Sequence, residues 1–255
     1  MKVKTCLRYP GGKFYGYKKI KKYLNIPHET FVEVFVGGAS IFLGKELAKN
    51  NWLNDGDENL INFYHVLQNT KQKKLLFKML EGETVSKSRY KKILSMMPSN
   101  SIERAYKYFY LNRTSFSGIM KNPRWGYMIG SSVTPDKWIE RIAPVAEKIC
   151  NAKVTCLDFR EVLTSVDSNA LVYLDPPYFE ASKGIYSKEF SNEDHYDLME
   201  ILKSSKFNFV LSYNNHPKLY DMYKWCNISN EEWVYFMSEN RRLDGKELII
   251  SNLRF

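Results

Sequence analysis

Cysteine and histidine are scarce in this chain, and neither forms a cluster. Cys6, Cys150, Cys156 and Cys226 include no C-x-x-C pair, and His28, His65, His195 and His216 do not group with them or with one another. That spacing argues against a zinc site and for free thiols in a reducing compartment. Long apolar runs are missing too. None approaches the ~20 residues that a bilayer-spanning helix needs, and Lys2, Lys4 and Arg8 break the apolar continuity a signal segment would require. The expectation is a soluble, cytoplasmic protein with no metal and no membrane contact. There is no Gly-Lys-Ser/Thr run and no G-x-G-x-x-G, which removes a Walker phosphate cradle and a dinucleotide fingerprint. Internal repeats and low-complexity tracts are also lacking.

What is present is a basic, aromatic-rich chain of 255 residues, 44% apolar and 15% aromatic, with a net charge of +10. It is long enough for one large domain or a domain with an insertion. Lysines bunch at 18–22, 71–74 and 87–92. Each bunch alone reads as a solvated helix face; together they suit a polyanion such as DNA or RNA.

The most informative stretch is Leu171-Val172-Tyr173-Leu174-Asp175-Pro176-Pro177-Tyr178. Its apolar run reads as a strand buried on both faces. Pro176 has no N–H, so the chain must leave the sheet at Asp175. The loop then lies at a strand's carboxyl end, where open α/β sheets bind ligands. It offers a carboxylate, the Pro176 carbonyl and the face of Tyr178. These suit a planar heterocycle bearing an NH2 group, whose lone pair is freed once both hydrogens are held. A plain Pro-Pro turn with an exposed Asp uses the same residues.

Earlier in the chain, Leu7-Arg8-Tyr9-Pro10-Gly11-Gly12-Lys13 makes a bare-backbone loop flanked by a ring and a fixed charge. It reads equally as a turn before a helix over Tyr15–Leu24. Phe31 to Leu43 is a strand, a Gly37-Gly38 turn and a helix from Ser40 to about Lys49. Close approach by an adenosine or amino-acid group fits this turn better than a pyrophosphate. A second strand ends at Asp55, roughly 20 residues on, where Rossmann-like folds place an acid on a ribose diol. Asp57 competes for that role, and an Asp-Gly-Asp turn is the plain alternative.

From Leu60 to Glu147 the pattern turns helical and basic, with helices expected at Leu60–Leu67, Lys73–Leu80, Arg89–Met96 and Ile102–Tyr110. Leu111 to Tyr127 then interleaves Arg113, Lys121 and Arg124 with Phe116, Trp125 and Tyr127. Such a loop contacts phosphates and wedges between bases, or packs its own aromatics as a hairpin. Residues 60–147 read as an insertion that meets nucleic acid, and 1–59 with 148–255 as the body. A strand returns at Lys153–Phe159, with Asp158 a cofactor contact or a helix cap. Ser191 opens a helix over Glu193–Lys203, Phe207–Tyr213 is a strand, and Glu232–Met237 pairs with Glu247–Asn252 around a turn at Arg241–Gly245. The long, Gly-containing stretch from Tyr178 to Phe190 is expected to order over a bound base.

Tyr9-Pro10-Gly11-Gly12-Lys13, Phe35-Val36-Gly37-Gly38, Asn54-Asp55, Asn112-Arg113 and Asp175-Pro176-Pro177-Tyr178 together resemble the Dam-type (D12 class) adenine-N6 DNA methyltransferases. The motif order matches over essentially the whole chain. This chain differs from the usual pattern at Tyr9-Pro10, at Ala39 and at Asp57. The resemblance implies an α/β, Rossmann-like methyltransferase sheet with an inserted helical target-recognition domain, S-adenosylmethionine as cofactor and double-stranded DNA as substrate. It implies Asp175, Pro176 and Tyr178 as catalytic residues. It also implies Tyr9, Lys13, Phe35, Gly37, Asp55 and Asp175 around the cofactor, to which the strand-end position of Asp158 adds a further candidate contact. Asn112, Arg113, Ser117, Lys121 and Arg124 would meet DNA. Lys121 aligns with the Dam-type arginine that reads a guanine in GATC, so GATC stays open as a target. A cognate restriction enzyme, or a phage or host-defence setting, is also compatible. Open beside adenine methylation are cytosine-N4 or RNA amino-methylation and a non-catalytic DNA-binding relative; Asp175, rather than Ser or Asn, favours adenine.

Overall fold

The computed structural model describes residues 3–179, 190–238 and 241–253, without the side chains of 233–238 and 241–244. The expected ordering of the stretch from Tyr178 to Phe190 therefore lies mostly outside the described residues. Seven strands form one sheet in the order β3-β2-β1-β4-β5-β7-β6. β1 (Thr30–Glu33), β2 (Asn50–Asn54), β3 (Lys153–Thr155), β4 (Ala170–Leu174) and β5 (Asn208–Asn214) are parallel. β7 (Arg241–Ser251) runs antiparallel to both β5 and β6 (Asn227–Ser238). This is a Rossmann-like sheet with a reversed last hairpin.

Each strand sends alternate residues to opposite faces. Phe31, Leu171 and Tyr173 enter one buried cluster, and Val32, Val172 and Leu174 the other. Every position of β4 is buried, as a strand covered on both sides requires. The first face carries α1 (Tyr17–Leu24) and α2 (Ser40–Gly44), then α3 (Glu58–Gln68), α4 (Thr70–Leu80), α5 (Lys87–Leu94), α6 (Ser101–Thr114) and α7 (Trp138–Ile149). Tyr64, Leu76, Tyr90, Phe109 and Trp138 from these helices share one core with Phe31 and Leu53 of the sheet. The second face is covered by α8 (Phe159–Thr164), α9 (Asn192–Ser204) and α10 (Pro217–Met222).

Three expectations are corrected. α2 stops at Gly44 rather than near Lys49, because Gly44 packs under the Tyr17 ring and Lys45 turns extended at ψ 166°. A Cβ at Gly44 would stand 2.6 Å from that ring. α6 continues past Tyr110 to Thr114, which carries Asn112 and Arg113 into the helix. Finally, the proposed turn at Arg241–Gly245 is strand: Gly245 pairs with Trp233 and Asp244 with Val234. Backbone pairing along both strands overrides the Asp-Gly turn signal there.

The strand order reverses between β1 and β4, so a crevice opens at their carboxyl ends. Asn54 holds one wall of that crevice. Its amide donates to the Val34 and Leu157 carbonyls at 3.1 Å each, and its oxygen accepts from Thr155 Oγ1 at 2.8 Å and Leu157 N at 2.9 Å. A single buried side chain thus ties the tips of β1, β2 and β3. Asn54→Ala strands these partners, and a denaturant titration should show a loss of about 2–4 kcal/mol.

Candidate active site

The Gly37 turn follows β1 and is held from both sides. Gly37 N–H donates to Asp55 Oδ2 at 2.9 Å, and the Tyr64 hydroxyl of α3 donates to the Gly37 carbonyl at 2.7 Å. Gly37 has φ +44°, a conformation that favours glycine. The Tyr9 ring lies directly over it, so a Cβ at Gly37 would meet that ring at 2.8 Å. Asp55 also accepts from Asp57 N–H at 3.0 Å. Asp57 itself caps α3 through Asn59 and Leu60 N–H, which gives the competing acid a structural task.

At the tip of β4 the Asp175 carboxylate meets a buried ammonium. Lys13 Nζ lies 2.6 and 2.7 Å from its two oxygens, and also donates to the Gly11 carbonyl at 3.0 Å. Burial alone would lower the Lys13 pKa; Asp175 and then Glu247 override it and hold the ammonium charged well above the ordinary range. Ser212 of β5 stands 3.0 Å from Asp175 Oδ1 and 2.9 Å from the Tyr173 hydroxyl, so a Tyr173–Ser212–Asp175 chain uses each hydroxyl proton once. The Tyr178 hydroxyl donates to Glu247 Oε1 and lies 3.2 Å from Lys13 Nζ. Pro176 is buried, and among the described residues none donates to its carbonyl.

One cleft runs from the glycine turn to Asp175, with about 1030 Å³ of empty space that includes space open to solvent. Its lining includes Tyr9, Lys13, Phe35, Gly37, Asp55, Asp158 and Asp175. Every cofactor-side residue expected from the sequence therefore borders a single space. Asp158 also caps α8 by accepting from Arg160 N–H at 2.9 Å, so both of its expected roles are available. Phe35, Phe159 and Phe190 make an aromatic wall, with ring centroids 5.3–6.0 Å apart. Sequence reading missed Glu33, which is buried, accepts from Phe42 N–H at 2.9 Å and borders the cleft. It also missed Ser212 and Glu247. Their only sequence signal was a polar residue at an inward-facing strand position. Among the described residues, no group of His, Cys, Asp and Glu is arranged to hold a metal.

The expected DNA contacts divide. Asn112 is fully buried and clamps the N-terminal strap: it accepts from Arg8 N–H at 2.8 Å and donates to the Arg8 carbonyl at 2.8 Å. Arg113 is buried and donates to the Cys6 carbonyl at 3.3 Å. Both are buried and brace the fold from inside α6, where their polar groups are taken by the N-terminal strap. Ser117 sits in a 3-10 turn, Phe116–Gly118, at φ +53°. Lys121 is half-buried and Arg124 exposed. Phe116 N–H donates to the Arg124 carbonyl at 2.8 Å and Ser115 bridges Trp125, so the segment is a small hairpin. Trp125 packs on Tyr90 at 5.4 Å, whereas Phe116 is 57% exposed.

A sheet with a ligand cleft at its strand-order reversal, bordered by a glycine turn, Asp175 and Pro177, defines a Rossmann-like ligand-binding architecture. Residues 9–237 match the family model of the D12 class N6 adenine-specific DNA methyltransferases, and the chain belongs to that family. It is 26% identical over 290 aligned residues to the type II methyltransferase M.MjaIII of Methanocaldococcus jannaschii, covering 99% of this chain and 100% of that one. It is 28% identical to a DNA adenine methylase of Vibrio cholerae, covering 69% of this chain and 66% of that one. It is 24% identical to the type II methyltransferase M.CviBI of Paramecium bursaria Chlorella virus NC1A, covering 80% of each. No helix among the described residues is long and apolar enough to cross a membrane.

Burial raises the Asp55 pKa from 3.8 to about 6, against the pull of the Gly37 and Asp57 N–H groups. Between those values the folded chain keeps a proton that the unfolded chain has lost, so this carboxyl weakens the fold as pH rises across the window. Carboxyl-13C NMR should place the Asp55 midpoint near 6. A midpoint near 4 would mark it as freely solvated.

Proposed function

We propose that this chain transfers a methyl group from S-adenosylmethionine to the N6 amine of an adenine swung out of duplex DNA. The observation that carries the reading is the continuity of the cleft from the Gly37 turn past Asp55 to Asp175. S-adenosylmethionine supplies an electrophilic methyl on a sulfonium.

The residues present fit that cofactor. The aromatic wall of Phe35 and Phe159 suits a purine, Asp55 a ribose diol, and the close backbone approach at Gly12 and Gly37 the remainder. Asp55 accepts a diol best when ionised. Cofactor affinity should therefore rise with pH through about 6, the value at which that carboxyl titrates. Calorimetry across that range checks it.

At the reacting end, Asp175 and the Pro176 carbonyl take the two amine hydrogens. The amine nitrogen then pyramidalises and its lone pair is freed for attack. A carboxylate is too weak a base to strip the amine proton beforehand. Asp175 instead orients the amine and draws off positive charge as the bond forms. Tyr178 stacks on the base, its plane fixed by the hydrogen bond to Glu247. Unstacking the base costs a few kcal/mol, which these contacts offset.

We place DNA recognition on residues 60–147, with the 115–126 hairpin at the duplex. Phe116, solvent-facing and apolar, is the aromatic available to enter the base stack, while Arg124 and Lys121 are the nearby cations. A GATC target is one assignment compatible with Lys121. The type II names of two relatives make a partner restriction enzyme a reasonable setting.

Asp175→Ala should lose methylation by at least about a hundredfold in a tritiated-methyl assay on DNA from an adenine-methylation-free host. S-adenosylmethionine binding should weaken and DNA binding partly persist. An active Asp175→Ala enzyme would remove the amine-holding role.

A further inference from the structure

Asp175 has a conflict to resolve before it can accept an amine hydrogen. Both of its oxygens are engaged by Lys13, at 2.6 and 2.7 Å, and Oδ1 is also 3.0 Å from Ser212. An arriving NH2 group therefore competes with a buried ammonium for those oxygens. An ammonium pulled from its only carboxylate in a dry site would pay a large desolvation penalty. A second carboxylate within reach would remove it.

Glu247 stands where such a carboxylate is needed. It projects inward from β7, directly across from Asn214 of β5, and only 2% of it is exposed. Its Oε1 accepts from Tyr178, but its Oε2 is buried and has no hydrogen-bond partner among the described residues. That vacant oxygen lies 3.7 Å from Lys13 Nζ. Leaving a buried carboxylate oxygen unpaired is costly, so the position calls for a partner that arrives in another state of the site.

We propose that Glu247 is a positioning residue that serves as the second berth for the Lys13 ammonium. Lys13 rests on Asp175 while the base pocket is empty and shifts toward Glu247 Oε2 when the adenine amine takes Asp175. The inference rests on the reading that Asp175 receives the amine. The shift is short, keeps the ammonium paired throughout, and leaves Tyr178 held by the same glutamate. Glu247 thereby couples acceptance of the base by Asp175 to the ring that stacks on it.

The groups facing Glu247 are Lys13, Asp175 and Tyr178, with Tyr173 behind them on β4; across β6 is Glu231, paired with Lys22 and Lys19 of α1. Burial raises the Glu247 pKa, and Asp175 adds to the rise, while Lys13 opposes it. The berth works only when Glu247 is ionised, so the rate should fall as the pH drops through that raised value.

Single-turnover transfer of tritiated methyl onto adenine-methylation-free host DNA, read against pH, tests this in Glu247→Gln and Glu247→Asp. Glu247→Gln should slow the transfer about tenfold or more and lose the acid-side step, with S-adenosylmethionine affinity held within about twofold. Glu247→Asp keeps the charge and should recover part of the rate and the step. A Glu247→Gln enzyme with wild-type rate and pH profile overturns the proposal. So does a Glu247→Gln chain that has lost cofactor binding, which would make Glu247 a structural brace. If Glu247→Gln does not fold, Glu247→Asp decides: a reduced rate with a displaced pH step supports the berth, and a wild-type profile overturns it. An active Asp175→Ala enzyme would instead sink the underlying reading of Asp175, whatever Glu247 does.

Discussion

The site depends on the buried contact between Lys13 and Asp175, which ties the N-terminal strap to the tip of β4. A buried ion pair is a weak source of stability, because desolvating both charges offsets most of their attraction. Its value here is geometric. It brings the Pro-Gly-Gly loop, the Gly37 turn and the Asp-Pro-Pro-Tyr tip to a single cleft. The strap is anchored at its other end by Asn112, which closes both backbone hydrogen bonds of Arg8. Gly118 allows that approach, since a Cβ there would lie 2.4 Å from the Arg8 carbonyl. The helix that leads to the exposed Phe116 turn and the lysine that reaches Asp175 are thus two ends of one braced segment.

The electrostatics of the molecule are divided. The chain as a whole is strongly basic, at +10, which suits a polyanionic partner. The cleft is lined instead by Glu33, Asp55 and Asp175, and Lys13 is the lysine among them. Burial raises Glu33 well above the usual carboxylate range, with nearby Asp175 adding to the effect. The acidic lining of the cleft thus contrasts with the basic balance of the chain as a whole.

Much of this was legible in the sequence wherever local chemistry decides the structure. Pro176 ends β4, so Asp175 had to stand at a strand tip. Gly37 had to turn, and the capping box at Ser191 opens α9 as the pattern requires. The hidden parts are those decided by distant partners. Asn112 and Arg113 looked like loop residues beside Gly118, yet α6 runs on through Thr114 because their polar groups find Arg8 and Cys6 in its packing. Gly245 looked like a turn and became strand because β6 supplies a partner. Glu247 and Ser212 carried no local signal beyond being polar at inward-facing strand positions. Their importance comes from β5 and β7 lying side by side next to β4, which only the sheet order discloses.

The central claim is that the cleft presents an adenine amine at Asp175 to an activated methyl group. The direct measurement is the identity of the methylated nucleoside. DNA from an adenine-methylation-free host is incubated with the protein and S-adenosylmethionine, digested, and analysed by mass spectrometry. The account predicts N6-methyldeoxyadenosine. N4-methyldeoxycytidine as the product, or no methylated nucleoside from a folded chain that binds the cofactor, would contradict it.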